Sequence, residues 1–155
     1  MAFQMYFFVE KCVNEKWISC DLWEQDFYYK NCFFVPDKYC FIKHKTTELA
    51  AILTGYQNLI EPIKYSYDIP KDVCFPVKLL IDYEKNYGGG FTKYHNSYNI
   101  NELVEFFENK KHTQKTKKFI DSHLKEFTKI TLKKLKQIKN KKEVSDVRII
   151  VWLEN

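Results

Sequence analysis

The segment GGGFTKYHNSYNINEL, residues 88–103, contains residue types that could bind a phosphate or carry out acid–base chemistry. It holds three of the four glycines in the chain. A phosphate loop needs glycines that lead directly into a helix, so that free backbone N–H groups face the anion. Here residues 91–99 separate Gly90 from the next predicted helix, and the G-x-x-x-x-G-K-S/T spacing is absent. The segment is therefore predicted to be a glycine hinge followed by a polar, aromatic loop, which could form a lid or a contact surface.

His95 is the residue of this loop that could act as a general acid or base or as a metal ligand. A general base needs an orienting partner, and a metal ion needs about two or three further ligands. Neither is visible at short spacing from His95, so no catalytic residue, metal site or cofactor is predicted. We expect Lys93, Tyr94 and His95 to contact a ligand. An enzyme that uses His95 as an acid or base on a nucleotide is the less favoured alternative.

A second group of candidate ligand contacts follows a predicted helix. Tyr56, Gln57 and Asn58 come directly after Gly55, which stands where a helix C-terminal cap belongs. Exposed polar groups at such an end often meet a ligand, and ordinary capping is the alternative. No G-x-S-x-G, H-E-x-x-H or Cys/His nucleophile pattern is present, so the sequence favours a binding protein over an enzyme.

Arg148 is the sole arginine of the chain, and it lies within the apolar segment VRIIVWL. A buried arginine must be paired, because an isolated charge is costly to remove from water. We expect Arg148 to hold a structural carboxylate, with Asp82 and Glu102 as the candidates. An anion site lined by Arg148 is the alternative.

The length and composition predict one folded domain over residues 1–155. The chain has 155 residues, of which 45% are hydrophobic and 17% aromatic, enough to build a core and leave rings for a stacked ligand or a homo-oligomer interface. No apolar run approaches the roughly 20 residues of a membrane span, and no signal peptide is visible, so a cytoplasmic protein without membrane contact is expected. The five cysteines, an odd number without C-x-x-C spacing, predict reduced thiols.

One segment supplies the whole positive excess of the chain. Residues 109–142 contain 13 lysines against Asp121 and Glu126, whereas the flanking segments are net negative. Such a segment could attract nucleic acid or an acidic protein surface. Nucleic-acid readers usually employ arginine, however, and the chain has 24 lysines to one arginine. A solvated helix face is therefore favoured over a nucleic-acid interface.

Hydrophobic periodicity predicts an α+β fold: a small, mainly antiparallel sheet that unites an N-terminal hairpin with a C-terminal strand, covered by three or four helices. The predicted strands are residues 3–13, 17–23 and 147–153, and the predicted helices are 45–58, 76–85, one that begins after Asn99, and 113–140. Residues 24–45 and 59–73 are predicted to be mostly irregular. In the last strand, Trp152 should share a face with Ile150 and oppose Val151.

Four segments resemble a family of small, mostly uncharacterised phage and prophage proteins. KTTELAAILTGYQN resembles the family's R-N-Y-x-L-F-A-x-L-A-G-V-R-N, and DIPKDVCFPV resembles L-P-x-D-V-S-x-x-V. FTKYHNSYNINEL is similar to D-G-H-S-H-S-W-L-T-L-x-E-L, and the terminal DVRIIVWLEN to D-V-R-I-V-F-W-F-D-N. The four lie in the same order and span residues 45–155.

The departures from this family also bear on function. Of the family's two histidines only His95 matches, and Lys45 and Gln57 stand where the family has arginines. The resemblance implies a phage-encoded accessory protein in the host cytosol. We expect it to counter host defence by sequestering a small anionic ligand, with a nucleotide signal as the leading class. The expected contacts are Lys45, Tyr56, Gln57, Asn58, Lys93, Tyr94, His95 and Arg148.

Two other functions stay open at this stage. The chain could be a protein-binding inhibitor of a host defence or replication protein that uses residues 109–142 as its interface. It could also bind nucleic acid through the same lysines.

Overall fold

The computed structural model describes residues 4–28, 33–43, 45–65, 68–88 and 94–154. At residues 87 and 88 it describes the backbone only. The strands are β1 (Gln4–Val13), β2 (Lys16–Ser19), β3 (Glu24–Gln25), β4 (Phe33–Phe34), β5 (His95–Asn99) and β6 (Val144–Glu154). The helices are α1 (Thr47–Thr54), α2 (Phe75–Tyr83), α3 (Ile100–Phe107), α4 (Gln114–His123) and α5 (Leu132–Lys139). The predicted α+β class is confirmed.

Within the described residues, a four-stranded antiparallel sheet has the order β2-β1-β6-β5, and β3 pairs with β4 separately. β1 and β6 pair from Gln4 opposite Glu154 to Cys12 opposite Asp146. The β1–β2 turn places Asn14 and Glu15 at φ 50° and 65°, a left-handed pair that matches the twist of a tight hairpin. The expected union of the N-terminal hairpin with the C-terminal strand is thus confirmed.

The two faces of this sheet are covered differently. Ile149, Val151 and Leu153 point to the large core beneath α1, α3, α4 and α5, which we call the helical face. Ile150 and Trp152 point to a smaller cluster beneath α2, which we call the α2 face. Trp152 and Ile150 therefore share a face opposite Val151, as strand alternation predicts.

Helix ends were predictable from capping residues. The Thr46 hydroxyl accepts a hydrogen bond from the Leu49 N–H at 3.1 Å, and Gly55 ends α1 at φ 79°. At α3, Asn99 and Glu102 form the expected capping box, with distances of 3.1 and 3.3 Å. The capping box fixes where the chain leaves β5 and enters α3.

The single helix predicted over residues 113–140 is wrong. α4 ends at His123, Leu124 has the non-helical angles φ −118° and ψ 18°, and a π-helical turn, Phe127–Thr131, precedes α5. Leu124, Phe127 and Leu135 are all buried in the core of the helical face. The apolar periodicity continues across the break, so periodicity alone could not reveal it.

The polar loop predicted around His95 is also wrong, because His95–Asn99 forms the edge strand β5. Its inward positions are Asn96 and Tyr98, both fully buried. The Tyr98 hydroxyl and the Asn96 amide donate to the Leu53 carbonyl at the end of α1, at 2.7 and 3.0 Å. Polar side chains satisfied by hydrogen bonds therefore occupy core positions that an apolar pattern would normally mark.

Two further expectations concern membrane-spanning helices and the state of the cysteines. Across the described parts of the chain, no helix is both long enough and apolar enough to cross a bilayer. Cys12, Cys20, Cys40 and Cys74 are free thiols, and Cys32 lies outside the described residues. Burial raises the pKa of Cys74 to about 12 and that of Cys20 to about 11, so both thiols stay protonated at neutral pH.

Candidate ligand-binding site

A buried ion pair attaches the start of α2 to the sheet. Glu10 on β1 lies directly opposite Arg148 on β6, and the Arg148 Nε donates to Glu10 Oε1 at 2.7 Å. The other Glu10 oxygen accepts the Cys74 N–H, also at 2.7 Å. Glu10 has no exposed surface, so its charge is stabilised by these donors and not by water.

The rest of the Arg148 guanidinium also faces protein groups. Its Nη1 donates to Asp72 Oδ1 at 2.9 Å, its Nη2 donates to the Asp72 carbonyl at 3.2 Å, and it stacks 3.8 Å from the Trp17 ring centroid. Arg148 does hold carboxylates, as expected, but the named partners were wrong. Asp82 pairs with Lys78 and Glu102 with Lys64.

The Glu10–Arg148 pair therefore fastens Cys74 and Asp72, just ahead of α2, to the centre of the sheet. The register between β1 and β6 decides that Glu10 is the partner of Arg148, and this register involves strands from opposite ends of the chain.

The first candidate site is a cleft of about 460 Å³ between α2 and the β5 end of the sheet. We call it the lysine cleft, because Lys71, Lys78, Lys85 and His95 line it. Lys78 and Lys85 are seven residues apart, about two helical turns, which puts them on one side of the helical segment. Lys71 precedes α2, and His95 begins β5 opposite Trp152. Ile81, which is buried, contributes apolar lining.

Two aspartates moderate the charge of the lysine cleft. Asp68 and Asp82 also line it, and Lys78 Nζ lies 3.5 Å from Asp82 Oδ2. Both side chains of this pair are about half exposed, and exposed pairs of this kind are weak, at roughly 0.3–0.5 kcal/mol. Lys78 can therefore turn from Asp82 to an anion at little cost.

The second candidate site lies on the other side of α2. A cavity of about 510 Å³ is lined by Tyr6, Lys45 and Glu84, among others, and we call it the acidic cavity. The Tyr6 hydroxyl donates to Glu154 Oε2 at 2.9 Å and contacts Glu84 Oε1 at 3.3 Å. The Tyr6 ring stacks on Trp152, with centroids 5.0 Å apart and planes inclined by 15°. The sheet thus fixes Tyr6 between two carboxylates.

The surroundings of Tyr6 and Glu84 favour the protonated forms of both side chains. Burial raises the pKa of Glu84, and the nearby Glu154 charge raises it further, against a smaller lowering by the Tyr6 hydrogen bond. Burial likewise raises the pKa of Tyr6, assisted by both carboxylates. Tyr6 therefore remains a neutral donor at physiological pH.

The predicted ligand contacts are distributed over several places. His95 lies in the lysine cleft, and Lys45 lines the acidic cavity with its Nζ 3.9 Å from the Cys40 sulfur. Arg148 belongs to the ion pair beneath α2. Lys93 lies outside the described residues.

The remaining predicted contacts gather at the end of α1. Tyr56 is buried and meets the Tyr94 ring edge-to-face at 5.5 Å. Gln57 and Asn58 are exposed, and both take left-handed angles, φ 57° and 51°, in the turn that leaves α1. Tyr56 and Tyr94 thus belong to the core of the helical face, whereas the next residue, His95, lines the lysine cleft.

Sequence reasoning missed the lysines of the lysine cleft and the contact between Tyr6 and Glu84 at the acidic cavity. The seven-residue spacing of Lys78 and Lys85 on a predicted helix is a signal that could have been read. Tyr6 and Glu84 are 78 residues apart, and no local pattern connects them.

Metal chemistry has no ready-made site in the part of the chain that the structure describes. No group of three or more His, Cys, Asp or Glu side chains there could hold an ion. Comparison with protein-family models, with curated proteins and with solved structures finds no match to this chain.

Proposed function

We propose that the protein binds a small anionic ligand, of the nucleotide class, in the lysine cleft. The observation that carries the proposal is the presence of Lys71, Lys78, Lys85 and His95 around one cleft of about 460 Å³. Ligand pockets in proteins usually measure about 300–1,000 Å³. The cleft therefore has room for a mononucleotide or a comparable phosphate ester.

The lining of the cleft suits the two halves of such a ligand. Ammonium groups bind phosphate as compact point charges, and each charge-assisted hydrogen bond contributes about 1.5–3 kcal/mol. Lys71, Lys78 and Lys85 are all exposed and so can reach an entering anion. Ile81 and Val73 offer apolar surface for a base or sugar, and His95 can donate or accept a hydrogen bond.

The biological role is proposed on the resemblance to phage proteins alone. Under this proposal the protein withdraws a nucleotide signal from a host defence pathway by holding it in the cleft. Tight binding without turnover is the property that sequestration requires.

Calorimetric titration with ADP-ribose, cyclic dinucleotides, AMP and inorganic phosphate tests the binding proposal. Lys78→Glu and Lys85→Glu should each weaken binding at least about tenfold, because each removes one phosphate contact and adds a repelling charge. Lys118→Glu, exposed on α4, makes the same change in net charge away from the cleft and should have no effect. Absence of binding by the folded protein, or equal loss in the Lys118 variant, would overturn the proposal.

The lysine-rich helices provide a second candidate function, nucleic-acid binding. Lys115, Lys118, Lys125, Lys129 and Lys133 are all exposed on α4, α5 and the segment between them. Lysine contacts to phosphates release counterions, so affinity must fall steeply as salt rises. Fluorescence anisotropy with a labelled duplex at increasing salt measures this slope, and a flat salt dependence would exclude the function.

A further inference from the structure

Two carboxylates share the neutral Tyr6 hydroxyl: Glu84, which lines the acidic cavity, and Glu154, which lies beside it. Glu84 Oε1 and Glu154 Oε2 both contact the Tyr6 hydroxyl, at 3.3 and 2.9 Å. A hydroxyl has one proton, so it donates fully to one carboxylate at a time. Among the described residues, no lysine, arginine or histidine forms an ion pair with either Glu84 or Glu154. The two like charges therefore lack a counter-charge from the described chain.

Glu84 also carries an unsatisfied atom. The residue is 5% exposed, and its Oε2 has no hydrogen-bond partner within the described residues. A buried acceptor left unpaired destabilises the folded protein, and more so when it is charged. Buried polar groups in native proteins are nearly always paired, so Glu84 Oε2 requires a donor from outside the described chain.

The cavity beside Glu84 can admit an organic cation. Its volume is about 510 Å³, and the rings of Tyr6, Phe8, Phe34 and Tyr83 contribute to its lining. Aromatic faces attract ammonium groups and also cover the apolar part of a ligand. Asp37 lines the cavity as well, so the lining has two carboxylates, Asp37 and Glu84, against one ammonium group, Lys45. Glu154 lies next to the cavity and accepts a hydrogen bond from the Tyr6 hydroxyl.

We infer that the acidic cavity is a binding site for a small organic molecule with a primary ammonium group, which Glu84 holds and the charge of the neighbouring Glu154 attracts. The ammonium supplies the missing donor to Glu84 and the missing positive charge between the carboxylates. Its apolar body lies against the aromatic lining. This site is separate from the lysine cleft and does not depend on the function proposed there.

Calorimetric titration with phenethylammonium as the probe tests the site. Phenethyl alcohol has nearly the same shape without the charge, and phenylalanine adds a carboxylate that Lys45 could bind. We expect saturable binding of phenethylammonium and none of phenethyl alcohol. Tighter binding of phenylalanine would support the site and add Lys45 to it; weaker binding than phenethylammonium would support the ammonium contact alone.

Substitutions locate the site. Glu84→Gln should lower the affinity at least about tenfold, because it removes the charged partner of the ammonium. Glu154→Gln should lower the affinity by a smaller factor, because Glu154 lies beside the lining and acts through its charge. Glu105→Gln, exposed on α3, removes the same charge elsewhere and should leave the affinity unchanged. Thermal melting of each variant verifies that it is folded. Equal binding of phenethyl alcohol, no binding by the folded wild type, or full affinity in both the Glu84 and the Glu154 variants would overturn the inference.

Discussion

The two faces of the central sheet are built on opposite principles, although neighbouring residues of one strand supply them. On the helical face, Ile149 and Val151 are fully buried in a large, mainly apolar core. On the α2 face, the corresponding row along β6 is Arg148, Ile150 and Trp152, and it includes a buried charge. The helical face supplies most of the hydrophobic stabilisation, and the α2 face combines stabilisation with polar sites.

The attachment of α2 explains why the polar sites are on that face. Cys74 and Asp72 bind Glu10 and Arg148 at its start, and Glu84 meets Tyr6 just after its end. The helix is therefore held by polar contacts at both ends, with an apolar cluster between them. The lysine cleft lies along one side of α2 and the acidic cavity along the other.

The largest expected effect comes from breaking the ion pair beneath α2. Arg148→Met should destabilise the protein by about 3–5 kcal/mol, because it leaves the fully buried Glu10 carboxylate without its counter-charge. Urea unfolding followed by circular dichroism measures this change.

The double variant Glu10→Met with Arg148→Met distinguishes the cost of leaving one buried charge unpaired from the cost of losing the ion pair itself. Replacing a whole buried pair by apolar residues is often close to neutral. We expect the double variant to be clearly more stable than Arg148→Met alone, although the Cys74 N–H loses its acceptor. A double variant as unstable as the single one would show that the contacts to α2 outweigh the buried charge.

Adjacent isoleucines on β6 provide a direct comparison of the two faces. Ile149 and Ile150 have no exposed surface and point to opposite sides. Ile149→Ala and Ile150→Ala should each cost about 2–5 kcal/mol, and the cost rises where the surroundings cannot collapse into the cavity. We expect Ile149→Ala to cost more, because several helices fix its surroundings, whereas α2 is the only described helix that contributes to the cluster around Ile150. Urea midpoints in the reverse order would contradict the idea that the α2 face is the more adaptable one.

Local patterns were sufficient to predict most of the elements. Thr46, Gly55 and Asn99 mark helix ends because capping is decided within a few residues. The apolar β6 was predictable because a strand covered on both faces is apolar throughout. β5 was not, since its buried residues are Asn96 and Tyr98, whose burial depends on the Leu53 carbonyl from a distant helix.

The candidate sites were much less predictable than the elements. His95 was singled out from its neighbours in sequence, but its actual neighbours in the lysine cleft come from α2 and the segment before it. Arg148 was expected to be paired because charge burial requires it, yet its partner Glu10 is 138 residues away. Chemical necessity predicts that a partner exists, and tertiary register decides which residue it is.

A smaller effect is expected from the polar residues of the helical face. Tyr98→Phe should cost about 0.5–1.5 kcal/mol, because it removes the buried donor to the Leu53 carbonyl. The Asn96 amide still donates to the same carbonyl, which limits the loss. Tyr28→Phe removes a hydroxyl from a side chain that is 84% exposed and should leave the urea midpoint unchanged. Equal effects of both changes would mean that the Tyr98 hydrogen bond contributes nothing.

The smallest effect, and the only one that depends on pH, is expected from Glu84→Gln on the α2 face. Because burial raises the pKa of Glu84 above its ordinary value, the folded protein holds this proton more tightly than the unfolded chain does. The stability of the wild type should therefore fall as the pH rises from below the ordinary glutamate range through the raised pKa. Glutamine stays neutral and can still accept from Tyr6, so the variant lacks this loss. Urea midpoints should coincide near pH 4 and favour Glu84→Gln at pH 7; a variant less stable at pH 7 would mean that the Glu84 charge is already compensated in the folded protein.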